Sequence, residues 1–139
     1  MKDPVTEIIT AGLVVIKEKK LLLAFSRNKR AWYLPGGKAL EGENTVSAIL
    51  REIREELNVK LDGRQLRFYM HISAPAFGED PAIIMEQDCF LCNRKINPLV
   101  SAEIGECRYF SREEYAQEPA QVPGVLILFE KLKQDRLIY

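Results

Sequence analysis

The feature that most limits the fold is one helix in the middle of the chain, with strand-like sequence on both sides. Residues 44–57 place Val46, Ile49, Leu50, Ile53 and Leu57 at helical spacing, which makes a single apolar face. Asn44 is suited to the start, where its side chain accepts a backbone N–H bond from the first turn. Asn58 stands where the helix must stop, and Asn enters the left-handed terminating conformation more readily than most residues other than glycine. Ahead of the helix, residues 8–16 are apolar, interrupted only by Thr10, Ala11 and Gly12, and predict a strand. Lys17 to Lys20 form a polar turn, and residues 21–25 return as the hairpin partner. Residues 26–31 are a basic loop with Arg27, Lys29 and Arg30. Residues 32–34 are a short strand stopped by Pro35, Gly36 and Gly37.

After the helix, residues 64–73 and 82–93 predict two longer strands around a loop at 74–81, and residues 107–110 a short one. Ser111 to Glu114 form a capped helical turn. Pro123 opens a last helix, with Val125, Leu126, Leu128, Phe129 and Leu132 on a broad apolar face. Strands, helix, strands, helix is the order of an α+β domain with helices packed on a mixed sheet. No repeat or linker divides residues 1–139, which are expected to form one domain.

Charge narrows the function. Lys and Arg number 20, as do Asp and Glu, so the chain lacks the basic excess of a general nucleic-acid binder. A single histidine, His71, argues against Ser-His-Asp or Cys-His hydrolysis, and His and Cys form no zinc pattern. Three cysteines do not make a disulfide framework. Cys89 and Cys92, three apart in a strand, point to opposite faces and read as structural thiols. Residues 1–10, with Lys2, Asp3 and Glu7, do not read as a secretory leader, and no apolar run is long enough to span a membrane. A cytoplasmic location is the expectation.

The helix carries an unusual polar flank. At about 100° per residue, with Ile53 at 0°, Glu52, Glu56 and Glu55 fall near −100°, −60° and −160°. Three carboxylates thus share one exposed flank at i, i+3 and i+4, where like charges cost a helix roughly 0.2–0.5 kcal/mol per pair. An acidic run of this kind is ordinarily a solvated face. It is also a set of hard oxygen donors on a rigid element, which suits Mg²⁺ or Mn²⁺. Arg51, one turn before Glu55, can hold it by a charge-assisted bond.

The loop ahead of the helix decides between these readings. Gly37 is followed after five residues by Glu43, and after seven more by Arg51-Glu52-Ile53, Glu55-Glu56 and Asn58-Val59. This resembles the signature of the Nudix hydrolases, G-x5-E-x7-R-E-U-x-E-E-x-G-U with U a bulky aliphatic, at eight of nine specified positions. The departure is Asn58 in place of glycine, at a position asking for a left-handed terminator. The resemblance covers residues 37–59 as the motif and extends to nearly the whole chain. It implies an α/β/α sandwich and hydrolysis of a nucleoside diphosphate linked to another group, either a nucleoside triphosphate or a nucleotide sugar.

By that resemblance Glu52, Glu55 and Glu56 would be metal ligands for Mg²⁺ or Mn²⁺, with the backbone at Gly37 beside them. Arg51 would orient the glutamates and Glu43 would support them from behind. The general base would be Glu103, six residues before Tyr109 as in MutT-like members, with Glu106 next and Glu52 third. Arg27 would bind phosphate, and Gln121, in Pro119-Ala120-Gln121, would read the base. Lys29 and Arg30 read as solvated or as helpers of Arg27. Tyr33 and Phe77 read as core or as stacking on a base, while Trp32 packs beside Pro35. A Nudix-fold sensor that has lost catalysis is the competing function, although such modules typically lose glutamates that are all present here; a pure scaffold fits the self-repelling carboxylates poorly. The expected partner is a small nucleotide, with no nucleic-acid polymer and no membrane, and exposed strand edges leave room for a homodimer.

Overall fold

The computed structural model describes residues 7–80, 82–101 and 103–139. Lys2 and Asp3 of the leader reading, and Pro81 of the predicted loop, lie outside them. Residues 8–16 do not form one strand. β1 (Glu7–Val14) stops before Val15, and β2 (Ile16–Lys17) begins in a different sheet. Only β2 makes the hairpin with β3 (Lys20–Ser26), through a turn in which Glu18 and Lys19 have φ of 51° and 64°. The apolar run is continuous because buried Val14 and Val15 lead straight into half-buried Ile16, so composition does not mark the change of sheet.

β3 pairs antiparallel with β2, β4 (Ala31–Tyr33) and β8 (Ile104–Phe110). The other sheet has the order β5-β1-β7-β6, formed by β5 (Gly36–Lys38), β6 (Leu66–Pro75) and β7 (Ile84–Cys92) around β1. β1 and β7 run parallel, while β5 and β6 are antiparallel to their neighbours. The glycines expected to break the chain instead form β5. Gly36 has φ of 143°, and a Cβ there would lie 2.0 Å from the Ala11 carbonyl oxygen. Glycine therefore brings this segment against β1 rather than ending the pairing.

The alternation of β1 divides the interior. Ala11, Leu13 and Val15 join Leu22 and Phe90 beneath α1 (Thr45–Leu57), whose Ala48, Ile49, Ile53 and Leu57 are fully buried. Each such large aliphatic side chain contributes about 1.5–3 kcal/mol through burial. Val14, Leu21, Leu23 and Ile72 belong to the core with Tyr115 of α2 (Arg112–Ala116) and Val125, Leu128, Phe129 and Leu132 of α3 (Pro123–Gln134). Helices thus lie on both sides of the strands, an α/β/α sandwich. None of the described helices is long and apolar enough to cross a membrane.

The caps follow the sequence. Asn44 accepts from Ser47 N at 2.8 Å, and Asn58 is left-handed at φ 56°, its N–H donating to the Arg54 carbonyl. Ser111 and Glu114 form a capping box, and Pro123 opens α3. Cys89, Cys92 and Cys107 are free thiols, and burial pushes Cys89 up to about 12. His71 faces out of β6, with Nδ1 2.8 Å from Asp88 and Nε2 2.9 Å from Glu86.

Candidate active site

α1 is held by its apolar face, and the strand it packs against decides where its carboxylates go. β5 lies against this helix, and through it the expected exposed flank is divided. Glu55 remains outside, its side chain 59% exposed, whereas Glu52 is 17% exposed. Glu56 turns inward and its Oε1 accepts from the Gly36 N–H at 2.9 Å. Burial first, then the neighbouring charges of Glu52, Glu103 and Glu55, push the Glu56 carboxyl up to about 8, although the Gly36 bond opposes them. Burial also raises Glu52, against the pull of Arg51. Glu52 and Glu56 are therefore withdrawn from solvent, and Glu55 keeps the solvated position. The wheel gave the correct angular grouping but could not show that a glycine strand covers it.

Arg51 stands behind this group. Its Nε and Nη2 each lie 2.9 Å from a Glu43 oxygen, a bidentate pair. Its Nη1 reaches Glu52 at 2.8 Å and Glu55 at 3.2 Å, and Nη2 also reaches the Lys38 carbonyl at 3.0 Å. The hydrogen bonds from Arg51 hold Glu43 down at about 2, so Glu43 carries a full charge that fixes the guanidinium. One arginine thus connects the loop, β5 and two of the three helix carboxylates.

A cleft of about 600 Å³ opens beside α1. Gly36, Gly37, Glu56 and Glu103 line one part of it, with Arg27. Glu103 sits just before β8, and its carbonyl accepts from the Arg27 N–H at 3.3 Å, so the two enter the cleft from neighbouring backbone. Glu106 lies in β8 opposite Phe25, does not line the cleft, and has Arg108 4.0 Å away. Lys29 reaches across to Glu79 at 2.9 Å and to the Phe77 carbonyl at 3.2 Å. Tyr33 and Phe77 line the cleft in an edge-to-face pair rather than lying wholly in the core. Trp32 packs, with its Nε1–H donating to Glu118 at 2.8 Å.

Gln121 does not reach the cleft. Its amide nitrogen donates to the Tyr115 carbonyl at 2.9 Å and the Glu118 carbonyl at 2.6 Å, tying together the turn between α2 and α3. This corrects its reading as a base contact. Conversely, Thr10, Leu34, Met85 and Gln87 line the cleft without having been expected there. They lie on three separate segments, Met85 and Gln87 both on β7, and the one local sign was a polar Thr10 within an apolar run.

The donors suit a hard divalent cation. Three carboxylates stand on one helix, and the Glu52 carboxylate packs directly on Gly37, where a Cβ would lie 2.7 Å from its Cδ and Oε2. Any other residue at position 37 would occupy the place of that carboxylate. Among the described residues, no three His, Cys, Asp or Glu side chains are arranged as a closed ligand cluster; Arg51 bonds Glu52 and Glu55, while Glu56 bonds Gly36.

Comparison with known proteins places these features in a family. A family profile described as NUDIX domain matches residues 6–129. An 8-oxo-dGTP diphosphatase of Buchnera aphidicola subsp. Schizaphis graminum (strain Sg) is 35% identical over 52 residues, which are 34% of this chain and 40% of that relative. The MutT protein from Methanosarcina mazei Go1 superposes with a TM-score of 0.75 at 20% identity, covering 97% of this chain and 99% of that one. The E. coli ORF135 protein gives 0.72 at 22% identity, covering 95% and 92%. These two likenesses show the fold.

Proposed function

The chain belongs to the NUDIX family, and from that premise we propose that it is a divalent-metal-dependent hydrolase that cleaves a pyrophosphate bond in a nucleoside diphosphate-linked substrate. A nucleoside triphosphate is the form favoured by the likeness to an 8-oxo-dGTP diphosphatase. The observation that carries the reading is the shared cleft, where Glu56 and Glu103 line the same wall as Arg27 and the backbone of Gly36 and Gly37.

Glu52, Glu55 and Glu56 would hold Mg²⁺ or Mn²⁺, with the backbone at Gly37 alongside. Such an ion, when bound, neutralises an anionic diphosphate and acidifies water. Arg51 fixes the rotamers of Glu52 and Glu55, and the Glu43 pair keeps Arg51 from swinging toward substrate. Glu103 would take the proton of the attacking water. It enters the cleft from a turn, so it can approach once substrate is in place. Arg27 would grip phosphate oxygens with its planar fork. The Glu56–Gly36 bond pins the start of β5 to α1, which keeps the glycine backbone within reach of the phosphates.

The test is chromatographic detection of the two phosphate-bearing products (a shorter nucleotide with pyrophosphate, phosphate, a sugar phosphate or a second nucleotide) from a panel of nucleoside triphosphates, nucleotide sugars and dinucleoside polyphosphates, with and without Mg²⁺ or Mn²⁺. Metal-dependent cleavage of at least one member is expected. Binding without cleavage of any member, with either metal, would remove the enzyme reading.

A further inference from the structure

The cleft has a second end that the hydrolytic groups do not use. β1 and β7 run parallel with Thr10 opposite Gln87. The pleat sets Ile8, Thr10 and Gly12 on one face of β1 and Met85, Gln87 and Cys89 on the matching face of β7. Thr10 lines the cleft at 8% exposure, and its Oγ1 is buried with no hydrogen-bond partner. Buried hydroxyls are ordinarily paired, because an unpaired one has lost its water and gained nothing. Gly12 makes the place for the neighbouring carboxamide. A Cβ there would lie 3.0 Å from Gln87 Nε2 and 2.9 Å from Leu34 Cδ1.

The surroundings define what fits. Leu34 and Met85 are apolar, and the Tyr33 and Phe77 rings meet at 6.1 Å between centroids. The Phe77 segment is fastened in place, since the Tyr33 hydroxyl donates to its carbonyl at 3.1 Å and Lys29 to the same oxygen at 3.2 Å. Apolar and aromatic walls with a hydroxyl and a carboxamide on one strand pair suit a flat ring with a polar edge. They do not suit a phosphate, which needs several charged partners, or a sugar, whose many hydroxyls need more than two polar partners.

We infer that Thr10, with Gln87 beside it, determines specificity in this cleft by pairing its orphaned hydroxyl with the polar edge of the substrate's nucleobase. The inference rests on the nucleotide-hydrolase reading above. A hydroxyl and a carboxamide both donate and accept, so together they match a base edge that sets a donor next to an acceptor. A ligand lacking that polar group leaves Thr10 unpaired and is rejected for that reason.

The test separates this role from a structural one. Binding of the four common nucleoside 5′-monophosphates, and of ribose 5-phosphate as the base-less control, is measured by calorimetry on metal-free protein, alongside melting without ligand. The wild type is expected to prefer one monophosphate and to bind ribose 5-phosphate at least tenfold more weakly, on the order of the cost of an unpaired buried hydroxyl. Thr10→Val should weaken the preferred nucleotide about tenfold or more and leave ribose 5-phosphate unchanged. It should also melt about 3 °C higher, because the orphan hydroxyl becomes a methyl group. Thr10→Ser should keep the preference. A hydroxyl that merely supported the fold would lower the melting point when removed. Unchanged nucleotide affinity in Thr10→Val, or ribose 5-phosphate binding as tightly as the nucleotides, overturns the inference while metal-dependent hydrolysis by the wild type still stands. If the wild type binds no monophosphate the inference falls, and if it also cleaves no member of the nucleotide panel both readings fall together.

Discussion

At one end, beside the cleft, the polar groups come from a single stretch of helix: Arg51, Glu52, Glu55 and Glu56 lie within six residues, Arg51 reaches Glu52 at 2.8 Å and Glu55 at 3.2 Å, and of the four Glu56 lines the cleft. At the other end Thr10, Tyr33, Phe77 and Gln87 come from four separated segments and meet only because β1 lies beside β7 and the Phe77 loop folds over. The first end is rich in charge, which must be neutralised, and the second is largely apolar, with one unpaired hydroxyl. Chemistry that any nucleotide shares can be placed in a short, fixed motif. Choice among nucleotides needs a surface that can vary one residue at a time. The two ends should therefore respond differently to mutation: one in turnover and metal binding, the other in which ligand is taken.

The largest separation is expected from Glu56→Gln. Turnover should fall by orders of magnitude. The ligand-free protein should melt no lower, because Gln keeps an oxygen for the Gly36 N–H and has no charge to desolvate. Steady-state kinetics beside circular-dichroism melting checks both halves, and near-normal turnover would collapse the distinction between the ends. Glu103→Gln comes next. Loss of a general base should lower kcat by about 10²–10⁴ while metal affinity stays close to wild type. If Glu103→Gln is silent and the loss appears in Glu106→Gln or Glu52→Gln, the base lies elsewhere. Arg51→Lys keeps the positive charge but loses the fork that holds Glu43 by two bonds. Metal affinity or activity should drop about 10–100-fold, measured by metal titration of the rate, with base preference unchanged. A shift in nucleotide preference would show that the ends are coupled.

The smallest effect is outside the cleft. Asn58→Gly would be neutral or slightly stabilising if left-handed geometry were all that the position required. The structure adds a bond from Asn58 Nδ2 to the Leu99 carbonyl at 2.6 Å, so the change should cost about 0.5–1.5 kcal/mol in chemical denaturation. A more stable Asn58→Gly protein would show that this bond contributes nothing.

The same contrast explains what was legible in the sequence. α1, its Asn44 cap, its left-handed Asn58 and the Arg51–Glu55 contact are local, and spacing along one helix is enough to place them. The Ser111 capping box and Pro123 were readable for the same reason. The inward turn of Glu56 was not, because it depends on β5, and β5 exists only where Gly36 can press against Ala11 of another strand. The sheet change at Val15 was hidden by an apolar run that continues from buried Val14 and Val15 into half-buried Ile16. Gln121 was placed by a three-residue likeness, and such a short match could not show that its amide closes the turn after α2. Thr10 and Gln87 had no motif to carry them, since they become neighbours only through strand register.

If the α1 carboxylates hold the divalent cation, removing them should abolish its binding to the protein. Mn²⁺ binding followed by electron paramagnetic resonance tests this directly on the wild type and on the double variant Glu52→Gln, Glu56→Gln. Saturable binding is expected of the wild type, and the double variant should lose it while remaining folded by circular dichroism. Equal Mn²⁺ binding by the two proteins would contradict it and place the cation away from α1.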